Sequence, residues 1–345
     1  MEKFSQFRDR GSGIAPFLPL PPQPVSGCFP LPVRLSLFFF RLPFLIFTSV
    51  SYFLVLQWLP IGSLGKKAAL WCILGIPSIW WVDLQVDGVR KGSLSKQQYR
   101  LPGPGSVIAA SFTSPIDALY LAAIFDPIFA ASYPNTAEVE HISLLTAILR
   151  AFSSPRLAPP RGTRTTTLAS LSRKYPNRPI VTFAECTTTN GRGILPLSPS
   201  LTSVAPNGKI FPVSLRYSPE DVVTPLPGSY LSFLWALLSR PTHYIRVRIA
   251  EVVVAGPQGR GVSARVTAST YDTNYFDILE EVSASKGGSA SSSEKVEVEL
   301  NPAEKAVLDS VGDSLARLGR VKRVGLGVQE KQEFVRTWRR TERLW

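Results

Sequence analysis

The chain has 345 residues, 45% of them apolar, which supplies core enough for one large or two small domains and excludes disorder of the whole chain. Its formal charge of +13 calls for an anionic partner: nucleic acid, an acidic membrane surface or a phosphorylated ligand. Cys28, Cys72 and Cys186 lie too far apart for a disulfide framework or a metal-binding spacing, which points to a reducing, cytosol-facing protein without structural zinc.

Residues 1–34, with Pro19, Pro21, Pro22, Pro24, Pro30 and Pro32, read as a proline-rich disordered N-terminus. They lack the short basic region followed directly by a cleavable apolar segment that marks a removed signal peptide. Residues 35–83 read as a membrane-associated apolar segment. Within it, residues 42–61 carry no charge and as a helix would extend roughly 30 Å, about one hydrocarbon thickness. A second run, residues 68–82, is shorter, broken by Pro77 and closed by Trp80, Trp81 and Asp83. A hairpin bending near Pro60 and Gly62 would dip into one leaflet and return. Double spanning would set Lys66 and Lys67 opposite Arg34 and Arg90, against the positive-inside rule. This apolar material, and the lack of any matching motif, argue against nucleic acid as the partner.

Residues 84–255 read as one α/β domain, in which residues 100–255 alternate short apolar runs with helical patterns, the signature of an α/β layer. Strands are expected at 106–110, 180–183, 209–216 and 244–254, with a helix over 114–125. Residues 137–152 fit a further helix, with Val139, Ile142, Leu145, Leu149 and Phe152 on one face. Arg150, Arg156, Arg161 and Arg164 then cluster in a stretch that either holds a phosphate or is a solvated basic loop. Residues 256–300 have the Gly/Ser composition of a loop or linker. Residues 301–345 read as a basic helical tail: Pro302 starts a helix with Leu308, Val311, Leu315 and Leu318 in a stripe, and a second helix over 330–343 follows. There Arg336, Arg339, Arg340 and Arg343 beside Trp338 and Trp345 suit either anionic lipid or an ordinary charged surface.

Three segments carry chemistry. The first is Ser111-Phe112-Thr113-Ser114-Pro115-Ile116-Asp117. Ser114 as N-cap, Pro115 in the first turn and Asp117 facing the free amides make a helix start, and capping alone accounts for Asp117. The second is Thr182-Phe183-Ala184-Glu185-Cys186-Thr187-Thr188-Thr189-Asn190-Gly191-Arg192, where Asn-Gly is also a common turn dipeptide. The third is Phe211-Pro212-Val213-Ser214-Leu215-Arg216-Tyr217.

Together these segments resemble the PlsC-type glycerolipid acyltransferases, and are similar to fungal lysophosphatidic acid acyltransferases of the endoplasmic reticulum and lipid droplets. The resemblance covers about residues 80–255. It implies an α/β, PlsC-like acyltransferase layer behind an N-terminal apolar membrane hairpin and ahead of the C-terminal helical tail. The implied activity is membrane-bound transfer from acyl-CoA, as co-substrate and with no other cofactor, to a lysophospholipid, lysophosphatidic acid giving phosphatidic acid. The implied catalytic positions are Asp117 and Phe112, and the implied substrate-binding residues are Ser114, Glu185, Thr187, Arg192 and Arg216. The family's arginine-bearing second block has three candidates here, Arg150, Arg156 and Arg161.

The chain departs from the family at its centre. Five residues before Asp117, where the family has histidine, stands Phe112; Ala184 and Cys186 replace a proline and a glycine. Removing the acceptor's hydroxyl proton as its oxygen attacks suits a histidine, and losing such a base costs about 10² to 10⁴ in rate. An unperturbed Asp is a poor substitute unless burial raises its pKa. His141 and His243 are the chain's two histidines, and folding could deliver either; Cys186 could accept the acyl group first. The alternative reading is a catalytically impaired, acyltransferase-like protein that binds or traffics lipid.

Overall fold

The structure is a computed structural model that describes residues 2–21, 30–59, 62–89, 93, 97–256 and 300–342. The expected Gly/Ser linker lies almost wholly outside them.

The first long helix, α1, is Leu31–Ser51, with Pro30 as its cap and no buried residue. It runs on through a wider turn, Tyr52–Leu56, giving 26 residues in all, and this helix is long and apolar enough to cross a membrane. Phe39, Phe40, Phe47 and Leu54 point outward at 65–71% exposure. Its charges face the protein instead: Arg41 donates to the carbonyls of Leu238 and Arg240 and to Ser78 Oγ at 2.5–3.4 Å, and Arg34 lies over the Trp235 ring. Helix α2, Ser63–Gly75, is only 13 residues long and packs Leu70, Ile73 and Leu74 into the core.

Strand β1 (Trp81–Val86) follows, then β2 (Val107–Ala110), helix α3 (Pro115–Phe125), β3 (Ile128–Ala131), β4 (Val139–Ile142), helix α4 (Leu144–Arg150) and β5 (Thr165–Thr166). After helix α5 (Leu168–Lys174) come β6 (Ile180–Thr182), β7 (Gly193–Ile194), β8 (Lys209–Ser218), helix α6 (Tyr230–Leu238), β9 (Tyr244–Ile249) and β10 (Val253–Val254). Helix α7 (Pro302–Gly319), β11 (Lys322–Arg323) and helix α8 (Val328–Glu342) close the chain. Among the described residues one sheet runs β1-β9-β8-β2-β6-β3-β4-β5, with β10 beside β8.

The middle of that sheet is parallel, β8 and β6 flanking β2 and β3 beyond β6. Its strands read as unbroken apolar runs because both faces are covered. Ile108, Ala110, Phe129 and Val181 face a core closed by α2, α3 and α4; Val107, Ala109, Ile128 and Ile180 face a second closed by α5 and α7. A mixed α/β architecture with a central sheet and one apolar N-terminal helix is thus established.

Three expectations give way. Residues 137–152 form β4 and the short α4 rather than one helix, because Phe129 and Ala130 of β3 pair with Ile142 and His141 and this pairing outweighs the helical spacing. Residues 244–254 divide into two strands. The described part of the proline-rich N-terminus is packed rather than disordered. Phe7 and Phe17 are buried in a third core with Phe334 and Val335 of α8, Phe7 meeting the Phe334 ring at 5.2 Å. Aromatic area, not backbone pairing, orders this segment.

Candidate functional site

The chemistry-bearing segments meet at the carboxyl ends of β2, β6 and β8, where open α/β sheets place ligands. The chain leaves β2 through Ser111-Phe112-Thr113 and enters α3 at the N-cap Ser114, whose Oγ accepts from Ile116 N at 3.3 Å. Asp117 completes the capping box. Its Oδ2 accepts from Thr113 N at 2.7 Å, Ser114 N at 2.8 Å and Thr113 Oγ1 at 3.2 Å, and its Oδ1 accepts from the Tyr217 hydroxyl. The side chain is wholly buried. Burial pushes its pKa up to about 6 against the pull of those donors.

Glu185 leaves the end of β6 and is buried to the same degree. Its Oε1 accepts from Phe112 N and its Oε2 from Leu195 N, each at 3.2 Å. Successive amides, those of Phe112 and Thr113, therefore hold the two carboxyl groups. Burial is the largest cause raising Glu185 to about 8, and Asp117 adds to it, while the two amides and Lys331 oppose it.

Lys331, on α8, is the participant that the sequence did not disclose. It is fully buried, donates to the carbonyl oxygen of Thr188 and to Thr188 Oγ1, and burial lowers its pKa to about 7, with Glu185 as the opposing influence. The same loop is held from the N-terminus: Asn190 Nδ2 donates to the carbonyls of Ala15 and Leu18 at 2.8 and 2.9 Å. Gly191 sits at φ +72°, a conformation that disfavours a side chain. In the sequence Lys331 is one more charge on an amphipathic helix, so only folding reveals it. Tyr217 was legible as part of the third segment, but its bond to Asp117 was not.

Phe112 puts apolar surface where the resemblance leads one to expect a histidine. It is buried and stacks on Phe183 with centroids 4.3 Å apart. Both rings line a narrow cavity of about 10 Å³ with Ser132, Arg150 and Cys186. Of the three candidate arginines Arg150 alone lines this cavity; Arg156 and Arg161 are exposed. A cleft of similar size is lined by Thr113, Asn190, Gly191, Arg216, Tyr217 and Glu220.

The other sequence candidates are spread around this centre. Ser114 is buried and its hydroxyl donates to the Val222 carbonyl at 2.8 Å. Thr187 is buried two residues past Glu185, and Arg192 is exposed just beyond Asn190. Arg216 donates to the Gly319 carbonyl at 2.7 Å and pairs with Glu220 at 3.6 Å. Neither histidine replaces the missing one: His141 stacks on Tyr175, and His243 is buried against the Leu237 carbonyl at 2.8 Å. Cys186 lies near 12, pushed up by burial, and is a poor nucleophile.

The chain is 30% identical over 258 residues to a Schizosaccharomyces pombe protein provisionally named lysophosphatidic acid:oleoyl-CoA acyltransferase, covering 72% of this chain and 84% of that one. It is 23% identical over 261 residues to lysophosphatidic acid:oleoyl-CoA acyltransferase 1 of Saccharomyces cerevisiae, covering 70% and 80%. No protein-family model matches it.

Proposed function

The chain belongs to the family of fungal lysophosphatidic acid:oleoyl-CoA acyltransferases, and on that footing we propose that it transfers an acyl group from acyl-CoA to a lysophospholipid, lysophosphatidic acid giving phosphatidic acid. The observation that carries this reading is the meeting of Asp117 and Glu185 on successive amides at the ends of adjacent strands. Two buried carboxyl groups crowded together are costly for stability alone and are the mark of a working site.

In this reading the acceptor hydroxyl oxygen attacks the thioester carbon, its proton passes to Asp117, the new C–O ester bond forms and the C–S bond breaks to release CoA. Asp117, raised to about 6, is better matched to that proton than an ordinary aspartate. Glu185 orders the Phe112–Thr113 backbone, while Thr187, Arg150 and Arg192 serve the acceptor's phosphate and Ser114 and Arg216 the edges of the site. The outward apolar face of α1 supports a seat at a membrane or lipid-droplet surface, and in this reading the compartment is the endoplasmic reticulum with the catalytic layer facing the cytosol.

One observation favours a second reading. The buried, stacked ring of Phe112 occupies the position of a base, as it would in a protein that keeps the scaffold to bind lipid without turnover. The full chain in detergent micelles with labelled oleoyl-CoA and lysophosphatidic acid separates the two. Phosphatidic acid above the level of a Glu185→Ala control is expected, with a further rise in Phe112→His; product no higher than the control, with lysophosphatidic acid still bound, would establish the second reading.

A further inference from the structure

A trough runs along the outer edge of the sheet, away from the buried carboxyl groups. Register pairs Trp81 with Tyr244, Asp83 with Arg246 and Gln85 with Arg248 across β1 and β9, and Arg246 with Arg216 across β9 and β8. Paired residues share a face, so these side chains form rows on the surface opposite Val247 and Leu215 of the core. The C-terminal end of α7 closes one end of that face, where Arg248 and Arg216 donate to the carbonyls of Leu318 and Gly319 at 2.7 Å each.

Two cavities lie end to end here, with volumes of about 520 and 480 Å³. Their described linings hold five arginines, Arg216, Arg246, Arg248, Arg317 and Arg320, against three carboxylates, Asp83, Asp87 and Glu220. Arg246 meets Asp83 at 3.4 Å and Arg317 meets Asp87 at 2.6 Å. A surplus of two positive charges remains, and it sits in the cavity that holds Arg248, Arg317 and Arg320. The crowding is felt: Arg248 is pushed below its ordinary pKa, first by burial and then by Arg320, Arg246 and Arg216. Guanidinium groups gathered this way suit phosphate oxygens.

The opposite end differs in character. Exposed Trp81 and Tyr244 line it with Arg216, Tyr217 and Glu220, and the last three also line the cleft at Thr113 and Gly191. The trough thus leads from an arginine-rich end to an aromatic end that adjoins the carboxyl site.

We propose that this trough is the docking site for the nucleotide part of the acyl donor, with Arg248, Arg317 and Arg320 taking the phosphate groups and the Trp81–Tyr244 end taking the less polar arm that carries the thioester toward Tyr217. The assignment rests on acyl-CoA being the donor. The test uses the full chain in detergent and the double substitution Arg317→Ala, Arg320→Ala, which removes two of the three arginines assigned to the phosphates and spares the two that hold α7. Titration calorimetry with CoA itself should show a Kd raised about tenfold or more, a smaller rise with dephospho-CoA, and an unchanged melting temperature; where turnover is measured, KM for oleoyl-CoA rises and KM for lysophosphatidic acid does not. Unchanged CoA affinity overturns the proposal, as does loss of binding to phosphatidylserine vesicles with CoA affinity intact, which would make the trough a lipid-headgroup surface. CoA binding that is lost in the variant of a chain without transferase activity would sustain the trough while refuting acyl transfer.

Discussion

Asp117 and Glu185 are equally buried and share one stretch of backbone, yet they are held in opposite ways. Three of the four donors on Asp117 come from Thr113 and Ser114, within four residues of it, and only Tyr217 is remote. Glu185 is held by Phe112 and Leu195 from outside its own turn and neighbours Lys331 from the far end of the chain. A helix cap would place an aspartate at 117 in a protein of any function. No local structural task accounts for Glu185, whose burial beside a second carboxyl group is unfavourable. The difference makes Glu185 the stronger sign of activity, although Asp117 stands closer to the proposed chemistry.

Removing the locally held group tests this contrast with the largest effect. Asp117→Ala leaves Thr113 N, Ser114 N and the Tyr217 hydroxyl buried without their acceptor and dissolves the capping box, so a loss of about 3–5 kcal/mol is expected in denaturant titration. Glu185→Gln keeps an amide oxygen for one of the two backbone donors and should cost far less. Equal losses would show that Glu185 is as structural as Asp117.

The same contrast decides what the sequence could tell. The parallel strands around β2, the cap at Ser114 and the order of the three segments were legible, because each depends on residues near one another. The packed N-terminus was not, since Phe7 and Phe17 are ordered by Phe334, more than 300 residues away. Nor was the buried state of Lys331: its helix has Phe334, Val335 and Trp338 on one side, and the neighbouring lysine reads as solvated until α8 is docked on the Thr188 loop. Residues 137–152 carried apolar spacing that fits a helix, and pairing with β3 determined the outcome instead.

A pH titration of stability sharpens the comparison at intermediate magnitude. An acid whose folded pKa lies above its unfolded value keeps more protons in the folded state, so stability falls as pH rises between the two values. For Glu185 that window runs from 4.5 to about 8, and for Asp117 from 3.8 to about 6. The stability of the wild type minus that of Glu185→Gln, which cancels groups common to both, should decline across pH 4.5–8 by an amount on the order of a few kcal/mol at most. A flat difference curve would mean that Glu185 ionises normally.

The smallest effect asks whether the C-terminal helix acts on one carboxyl group or on both. Lys331→Met retains a long apolar stem on α8 and removes a cation that acts on Glu185, whereas no cation is among the largest influences on Asp117. In a double-mutant cycle with Glu185→Gln the two changes should couple by about 1 kcal/mol, because each relieves the charge that the other leaves buried. The corresponding cycle with Asp117→Asn should stay within about 0.5 kcal/mol, the range of independent sites. Equal coupling in both cycles would make the carboxyl pair one electrostatic unit. Coupling confined to Glu185 would instead give α8 a defined task, to hold one carboxyl group and the Thr188 loop in register while the cap at Ser114 secures the other without it.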